Sequence, residues 1–301
     1  MPNDSSQIQK FEFMEVVQSS KLVNLGCGCR FHPDWLNLDL NARRPGVVEC
    51  NFLEGIPLKD SSIQAVYSAA VLEHIPKRNA LAFLQECRRV LMLGGILRIS
   101  VPDFEAQARL YLDLLERAGK GELQAAEKLE WVVLEMIDQV GRNVSGGGMA
   151  EFLGDKAHSM RDFILERIGK EGSEIMHKLR ERRFSSEIDF KSFRSKSVRG
   201  GVLGVLLLKF LLRSSDIKKD LAAWEVGRFR LFSGEVHQWA YDRVSLGVLF
   251  EQAGFRDIQV KPHGESLIEK WREYHLEVDE DGVVEKPDLF VMEGVKVGQL
   301  N

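Results

Sequence analysis

The stretch KLVNLGCGCRFHPDWLNLD, Lys21 to Asp39, decides the fold, because two short apolar runs flank a glycine turn. The first run ends at Gly26-Cys27-Gly28, and the second, residues 35–38, ends on the carboxylate of Asp39. Glycine tolerates positive φ and lets a ligand approach the backbone, where N–H groups act as donors. An acid at the end of the next parallel strand lies at the same sheet edge and can accept hydrogen bonds from a ribose diol. The stretch therefore predicts either a nucleoside-binding site or a plain tight exit from a strand.

Size and charge limit the classes of function. The chain has 301 residues and 34.2 kDa, with 44% hydrophobic and 29% charged residues, which suits one large α/β domain or a domain with an insertion. The net charge of −4 and the pI near 6.0 give no overall basic field. A non-specific nucleic-acid binder is therefore disfavoured, although a local basic patch is compatible with this balance.

The cysteines and the first residues bear on metal binding and compartment. The four cysteines are Cys27, Cys29, Cys50 and Cys87. No Cys-x-x-Cys pair or histidine cluster follows at zinc-ligand spacing, so we expect reduced thiols and no metal site. Residues 1–20 are polar and lack the apolar core of a signal peptide, so we expect a cytoplasmic protein.

Strands alternate with helices on both sides of a long helical region. Downstream of the turn, strands are predicted at 47–50, 63–68 and 96–101, and a helix at 77–91 that Gly94-Gly95 ends. After residue 236 the predicted elements are a helix at 241–253 stopped by Gly254, strands at 255–261 and 289–293, and a polar helix at 265–274. Such alternation is typical of parallel crossover units.

The middle of the chain, from Phe104, carries no strand signal. Helices are predicted up to Asp138 and over 155–183, with a flexible break at Ser145–Gly148. The apolar run 200–212 is shorter than the about 20 residues that span a bilayer. It is predicted to be a core or lid helix, or else an interfacial membrane contact, because basic residues surround it over 191–219.

Several motifs occur in a fixed order along the chain. They are the glycine turn, Asp39, the loop GIPLKDSSIQAV (55–66), the run VLEHI (71–75), the segment RVLMLGGIL (89–97) and the terminal Ala253-Gly254-Phe255. Together they closely resemble class I S-adenosylmethionine-dependent methyltransferases of the type 11 group, over 21–103 and 236–293. The resemblance implies an α/β fold: a Rossmann-like, doubly wound, seven-stranded sheet with an antiparallel last strand, plus a large helical insertion.

The resemblance also implies a division of the chain and a cofactor, S-adenosylmethionine. Residues 1–20 would form an N-terminal segment, 21–103 the first part of the core, 104–235 a helical lid with the substrate region, and 236–301 the completion of the sheet. The implied cofactor contacts are Gly26 and Gly28 (methionine part), Asn24, Asp39 (ribose), Asn51 and Phe52 (adenine), Ser68 and Ala69 (sulfonium side), and Glu73 and His74.

The chain departs from the family pattern at four places. Asn51 stands where an Asp often contacts the adenine amino group, which a side-chain carbonyl can also do. Asn24 stands where many relatives have an acid, and it can bond to neighbouring backbone or to an amino group instead. Cys29 replaces a third glycine. The stretch from Gly28 to Trp35 is short and contains Pro33, so the usual first crossover helix is expected to be reduced or missing.

Methyl transfer to a hydroxyl needs a group that aligns the acceptor and takes its proton. Our catalytic candidates are His237, Asp103 and Tyr241, and His74 and His158 are further candidate bases. His237 is either a substrate-wall base or a structural histidine near Trp239, and Asp103 is either a substrate contact or a turn residue. Glu73 acts by its charge or is a first-turn acid, while Asp242 is expected to cap a helix beginning near Arg243.

The acceptor prediction rests on a looser resemblance. Residues 234–242, 264–266 and 286–290 look similar to methyltransferases of bacterial surface-polysaccharide and glycan pathways. A small-molecule or glycan acceptor is therefore expected, with O-methylation of a saccharide or other polyol hydroxyl. Trp239, Trp271 and Tyr274 would stack on sugar faces or belong to the core.

Three rival functions stay open at this point. A nicotinamide-dependent oxidoreductase is disfavoured because Phe31 occupies the position of the third glycine of its motif. A non-catalytic cofactor-binding scaffold would use the insertion as a partner surface. A nucleic-acid or protein methyltransferase would use the basic, aromatic stretch 184–219.

Overall fold

The computed structural model describes residues 21–42, 44–52, 54–155, 159–189, 223–230 and 234–298. These residues form two compact units: one holds the chain up to Arg109, residues 167–170 and the chain from His237, and the other holds 110–166 and 171–236. The predictions for 1–20, His158, the apolar run 200–212 and its basic surroundings 191–219 lie outside the described residues.

The first unit is built on a seven-stranded sheet. Its strands are β1 (Leu22–Leu25), β2 (Leu36–Asp39), β3 (Val47–Glu49), β4 (Ile63–Ala69), β5 (Leu91–Pro102), β6 (Phe255–Lys261) and β7 (Leu289–Lys296). Their order is β3-β2-β1-β4-β5-β7-β6. Strands β1 to β5 pair in parallel, whereas β7 runs antiparallel to both β5 and β6. The predicted fold class, a Rossmann-like mixed sheet with an antiparallel last strand, is confirmed.

Two helices cover the sheet where the sequence predicted them. Helix α1 (Lys77–Val90) buries Ala80, Phe83, Leu84, Cys87 and Val90 at the expected three- and four-residue steps. A later helix, Arg243–Gln252, begins at Asp242, whose carboxylate accepts hydrogen bonds from the backbone N–H groups of Val244 (2.8 Å) and Ser245 (2.9 Å). It is followed by Gly254 at φ +89°. The predicted cap and stop signals are therefore both confirmed.

The connection from β1 to β2 contains no helix, as the short sequence around Pro33 predicted. Two buried asparagines stabilise it instead. The Asn24 side-chain amide donates to the carbonyl of Arg30 (3.0 Å) and to the Asn37 side-chain oxygen (3.3 Å). The Asn37 amide donates to the carbonyls of Trp35 (2.7 Å) and His32 (2.9 Å). Side-chain amides thus bind the carbonyls that a helix would have satisfied internally.

The first unit also corrects three sequence predictions. Helix α1 ends at Val90, not at Gly94-Gly95, because the fully buried Leu91 pairs with Ile63 and already belongs to β5. The last strand continues past 293 to Lys296. The helix predicted over 265–274 is wrong, since only a 3₁₀ turn at Trp271–Tyr274 forms.

The buried guanidinium of Arg98 explains why that helix is missing. It donates to the backbone carbonyls of Glu265 (2.8 Å) and His263 (3.0 Å), so these carbonyls are not available to a helix. It also pairs with the carboxylates of Glu277 and Glu293 and lies 4.3 Å from the centroid of the Trp271 ring. Residues 263–277 are therefore tied to the sheet by one buried cation.

The described helices after β5 are α2 (Phe104–Gly119), α3 (Leu123–Gly141), α4 (Gly147–Asp155), α5 (Arg161–Asp189), α6 (223–230) and α7, the helix at Arg243–Gln252. Helix α5 is kinked at Gly169, which is not helical. The flexible break predicted at Ser145–Gly148 is partly wrong. Gly147 and Gly148 begin α4, where the Asp138 carboxylate accepts from the Gly148 backbone N–H at 2.6 Å. Among the described helices, none is both long and apolar enough to cross a bilayer.

Candidate functional site

The glycine turn at the carboxyl end of β1 is fixed by backbone hydrogen bonds. Gly26 and Gly28 adopt φ of +69° and +53°, which glycine takes without strain. The Gly26 N–H donates to the carbonyl of Leu38 at 2.7 Å. A Cβ at Gly26 would lie 2.2 Å from a methyl of Val71, whereas a Cβ at Gly28 would meet nothing within 4 Å. The turn therefore has no room for a side chain or ligand at Gly26, whereas the space beside Gly28 is open.

Asp39 lies at the end of β2 beside this open side. One carboxylate oxygen accepts from the Gly28 N–H (2.8 Å) and the other from the Asn41 N–H (2.8 Å). A carboxylate has about four acceptor sites, so each oxygen keeps capacity for a further donor. A ribose diol would supply such donors, and the geometry of Asp39 fits it.

The next strand end carries the two residues predicted beside the adenine. Asn51 is exposed and donates from its side-chain amide to Glu54 at 2.7 Å. The Phe52 ring packs against Phe83 with a centroid distance of 6.0 Å. Because the Cys50 N–H donates to the Asp39 carbonyl (2.9 Å), these residues lie beside Asp39 at the same sheet edge.

The buried cysteine of the turn, Cys27, is not poised for nucleophilic chemistry. Burial, and secondly the charge of Asp39, raises the pKa of Cys27 to about 12, so its thiol stays protonated at neutral pH. All four cysteines of the chain are free thiols.

The end of β4 offers an unsatisfied hydroxyl. Ser68 pairs with Leu25 of β1 in the sheet, directly before the glycine turn. Its buried Oγ has no hydrogen-bond partner among the described residues. Ala69 ends the strand, and Ala70 follows at φ +53° with its N–H bonded to the Ser100 carbonyl at 2.9 Å. A buried polar atom without a partner costs free energy, so Ser68 fits a site where a bound group supplies one.

Glu73 lies in a 3₁₀ turn, Leu72–His74, just after this strand end. Its side chain is 1% exposed, and neither carboxylate oxygen has a hydrogen-bond partner among the described residues. Burial raises the pKa of Glu73 to about 8, and the charge of Lys286 opposes this only in part.

His237 is held against this turn by the backbone. The N–H groups of Gln238 and Trp239 donate to the Glu73 carbonyl at 2.6 and 3.2 Å. The rings of His74 and His237 meet edge to face with a centroid distance of 4.7 Å. Two histidines and a buried carboxylate therefore converge from segments far apart in the chain.

Tyr241 and Asp103 lie next to one another through an isolated parallel β-bridge. The Tyr241 hydroxyl is buried without a hydrogen-bond partner, and burial together with the Glu73 charge raises its pKa to about 12. One oxygen of Asp103 accepts from the Ala106 N–H at 2.9 Å, and the Asp103 N–H donates to the Asp288 carbonyl at 2.9 Å. Asp103 thus caps α2, which is the turn role foreseen as its alternative.

The three aromatic residues that were expected either to stack on sugars or to belong to the core lie in different surroundings. Trp271 is buried in a cluster with Trp35 and Tyr67, so it belongs to the core. Tyr274 packs edge to face on Trp35 at 5.3 Å between centroids. Trp239 is 39% exposed, and the ammonium of Lys77 lies 3.8 Å from its ring centroid.

Sequence reasoning missed three residues that shape this edge of the sheet. Asn37 stabilises the connection between β1 and β2, which contains no helix, and no sequence motif indicated this role. Lys286 and Asp288 act on Glu73 by charge. Both stand in the segment 286–290 that carried the looser resemblance, but nothing in that segment indicated proximity to Glu73.

Comparisons with known proteins support the cofactor and the class of reaction. Residues 25–99 match a family model described as "Methyltransferase domain". This match covers the glycine turn, Asp39, Ser68 and the Glu73 turn, and it supports a class I S-adenosylmethionine-dependent methyltransferase. S-adenosylmethionine is the cofactor that the match implies, and the Asp39 acceptors and the Ser68 hydroxyl fit it. Curated protein sequences give no significant match.

The chain is also similar to solved structures of S-adenosylmethionine-dependent methyltransferases. One, from Mesorhizobium loti, is 20% identical over 29% of this chain and 48% of its own, with a TM-score of 0.23, so the alignment spans about half of that relative. Another, from Archaeoglobus fulgidus, is 10% identical over 97% of this chain and 94% of its own, with a TM-score of 0.35. A third, described as a "possible histamine N-methyltransferase" from Thermotoga maritima, is 12% identical over 97% of both chains, with a TM-score of 0.33. These superpositions are too loose to carry an argument about the acceptor.

Proposed function

We propose that this protein transfers a methyl group from S-adenosylmethionine to a hydroxyl of a saccharide or another small polyol. The observation that carries the cofactor part is the pairing of Asp39 with the open glycine at position 28. The acceptor part is supported by the polar groups that converge nearby, the Tyr241 hydroxyl and the imidazoles of His74 and His237.

When bound, S-adenosylmethionine supplies a methyl group that is already activated on a sulfonium. The protein then has to orient the acceptor and remove its proton. The His237 imidazole would take the proton from the acceptor hydroxyl, since an imidazole nitrogen is a common general base. The Tyr241 hydroxyl would position the acceptor by a hydrogen bond, and Asp103 would act through its place beside Tyr241.

Calorimetry tests the cofactor part directly. The purified chain is expected to bind S-adenosylmethionine and S-adenosylhomocysteine but not NAD. Asp39→Asn should weaken this binding by about 10- to 100-fold, because it removes the charge from hydrogen bonds worth about 1.5–3 kcal/mol. Asp34→Asn is the matched control, since its side chain is 69% exposed on the same connection. Binding of NAD alone, or equal effects of both variants, would contradict the proposal.

Turnover of labelled methyl donor tests the acceptor part. A panel of glycans and small polyols should contain at least one acceptor, and proteins and nucleic acids should give none. His237→Gln should abolish turnover while leaving cofactor affinity unchanged, which a structural histidine would not do. Incorporation into protein or nucleic acid would move the proposal to those acceptors, and inactivity on all of them with tight cofactor binding would favour a scaffold.

We also propose that the protein works in the cytoplasm. The four cysteines are free thiols, and a reducing compartment keeps thiols in this state. Peripheral contact with a membrane through 191–219 remains part of the proposal for a lipid-linked acceptor. Sedimentation with and without vesicles that contain anionic lipid would test it.

A further inference from the structure

Three side chains near the end of β4 are arranged like the protein ligands of a metal ion. Glu73, His74 and His237 each offer one ligand atom, and these atoms all lie within 4.8 Å of one another. Two imidazole nitrogens and one carboxylate oxygen are a donor set that proteins use for zinc and related divalent cations.

The burial of Glu73 is the second observation that points to a cation. A carboxylate that is 1% exposed, with no hydrogen-bond partner for either oxygen among the described residues, is costly to keep in a folded protein. A divalent ion bound to that carboxylate would offset this cost. The only basic side chain whose charge acts on it among the described residues, Lys286, offsets the effect of burial in part.

The backbone fixes the three side chains relative to one another. Glu73 and His74 are consecutive in one 3₁₀ turn, and the carbonyl of Glu73 accepts from both N–H groups that follow His237. Because these backbone hydrogen bonds already hold the ligands close together, the site needs little rearrangement to bind an ion.

We propose that Glu73, His74 and His237 form a binding site for one divalent transition-metal cation of the zinc class, with a fourth position open to solvent or acceptor. The binding claim stands by itself, whereas its role in catalysis rests on the proposed function. There, the cation would hold the acceptor hydroxyl and lower its pKa, so that its proton passes to solvent. With the ion bound, His237 would serve as a ligand and the ion would activate the acceptor hydroxyl in its place; the role of His237 as base, proposed above, applies to the metal-free protein.

The sequence predicts no metal site, because no Cys-x-x-Cys pair or histidine cluster stands at zinc-ligand spacing. Here the ligands come from two segments that meet only after the C-terminal part of the chain docks on the sheet. The family resemblance places Glu73 and His74 beside the cofactor and gives no sign that His237 lies next to them.

The test uses the full-length chain, treated with a chelator and then titrated with Co²⁺ and Zn²⁺. We expect one equivalent of Co²⁺ to produce visible d–d absorption, and Zn²⁺ to displace it and raise the thermal midpoint of the chelated protein. His237→Gln and Glu73→Gln should each weaken the affinity at least about tenfold. His177→Gln, an exposed histidine on α5, should leave it unchanged.

Some outcomes would overturn the proposal. They are a folded wild-type protein that binds no stoichiometric Co²⁺, or binding that both site variants leave intact. Glu73→Gln retains the shape of the side chain, and circular dichroism together with a cooperative thermal transition shows whether each variant is folded. Cofactor binding by chelated protein separates the two claims: it can persist while metal binding fails, and metal binding can persist if the protein does not bind the cofactor.

Discussion

Gly26→Ala is expected to destabilise the first unit more than Gly28→Ala, although both glycines have positive φ. An alanine at either position takes a left-handed conformation that costs about 1–2 kcal/mol. At Gly26 the new methyl would also lie 2.2 Å from the Cγ2 atom of Val71, a contact that forces something to move. At Gly28 no atom lies within 4 Å of the added Cβ.

The expected losses of stability are the sum of two costs, that of the left-handed conformation and that of the contact with Val71. Overpacking of this kind costs about 1–3 kcal/mol, so Gly26→Ala should lower the free energy of unfolding by about 2–5 kcal/mol. Gly28→Ala should lower it by about 1–2 kcal/mol. Val71→Ala removes the clashing methyl, so adding Gly26→Ala to that background should cost only about 1–2 kcal/mol more.

Native-state hydrogen exchange of peptides from β4 measures the stability of this unit by itself. Val66 of β4 is fully buried, so its amide region should exchange through the larger openings of the sheet. A double-mutant cycle over Gly26 and Val71 should give a coupling of about 1–3 kcal/mol. Equal losses for the two glycine variants, together with a coupling near zero, would refute the steric reasoning.

Three further predictions concern the surroundings of the site. Arg98→Met leaves two buried carboxylates without their cation and should cost about 3–5 kcal/mol in urea unfolding. Arg109→Met removes an exposed guanidinium from its ion pair with Glu105 and should cost about 0.5 kcal/mol or less. Burial alone would raise the pKa of Glu277, but hydrogen bonding to His263 and the charge of Arg98 lower it below the ordinary 4.5. The ionised Glu277 carboxylate therefore stabilises the fold at neutral pH, and this stabilisation is lost as the pH falls below 4.5. Acid titrations followed by circular dichroism should show a smaller loss of stability for Glu277→Gln than for the wild-type protein. Asp242→Ala should cost about 1 kcal/mol through the lost cap of α7 without changing cofactor affinity in calorimetry, and Asp242→Asn should retain most of the stability.

Local signals sufficed to predict most of the sheet. Strands β1 to β4 read as short apolar runs, α1 as a three- and four-residue periodicity, and α7 as a helix between a capping Asp242 and a stopping Gly254. Each of these signals depends on neighbours within a few residues. The strand order could not be predicted from single apolar runs. The antiparallel last strand was predicted only from the family resemblance that the ordered motifs carry.

The errors arose where distant groups override local preference. The segment 265–274 has a polar composition compatible with a helix, but the Arg98 guanidinium takes the carbonyls of His263 and Glu265. Leu91 continues the periodicity of α1, yet it belongs to β5, where it is buried and pairs with Ile63. In both cases tertiary contacts outweigh a propensity of a few tenths of a kcal/mol per residue.

The candidate site could be predicted only in part for the same reason. Asp39 and the glycine turn are close in sequence, so one stretch was enough to join them. The Glu73 turn is linked to that stretch through Val71, whose side chain occupies the space that a Cβ at Gly26 would need. His237 reaches Glu73 through backbone bonds from its own following residues, which leave no trace in the side-chain pattern. A substitution at Gly26 should therefore disturb both the glycine turn and Glu73, because it would displace Val71, which directly precedes the 3₁₀ turn that carries Glu73.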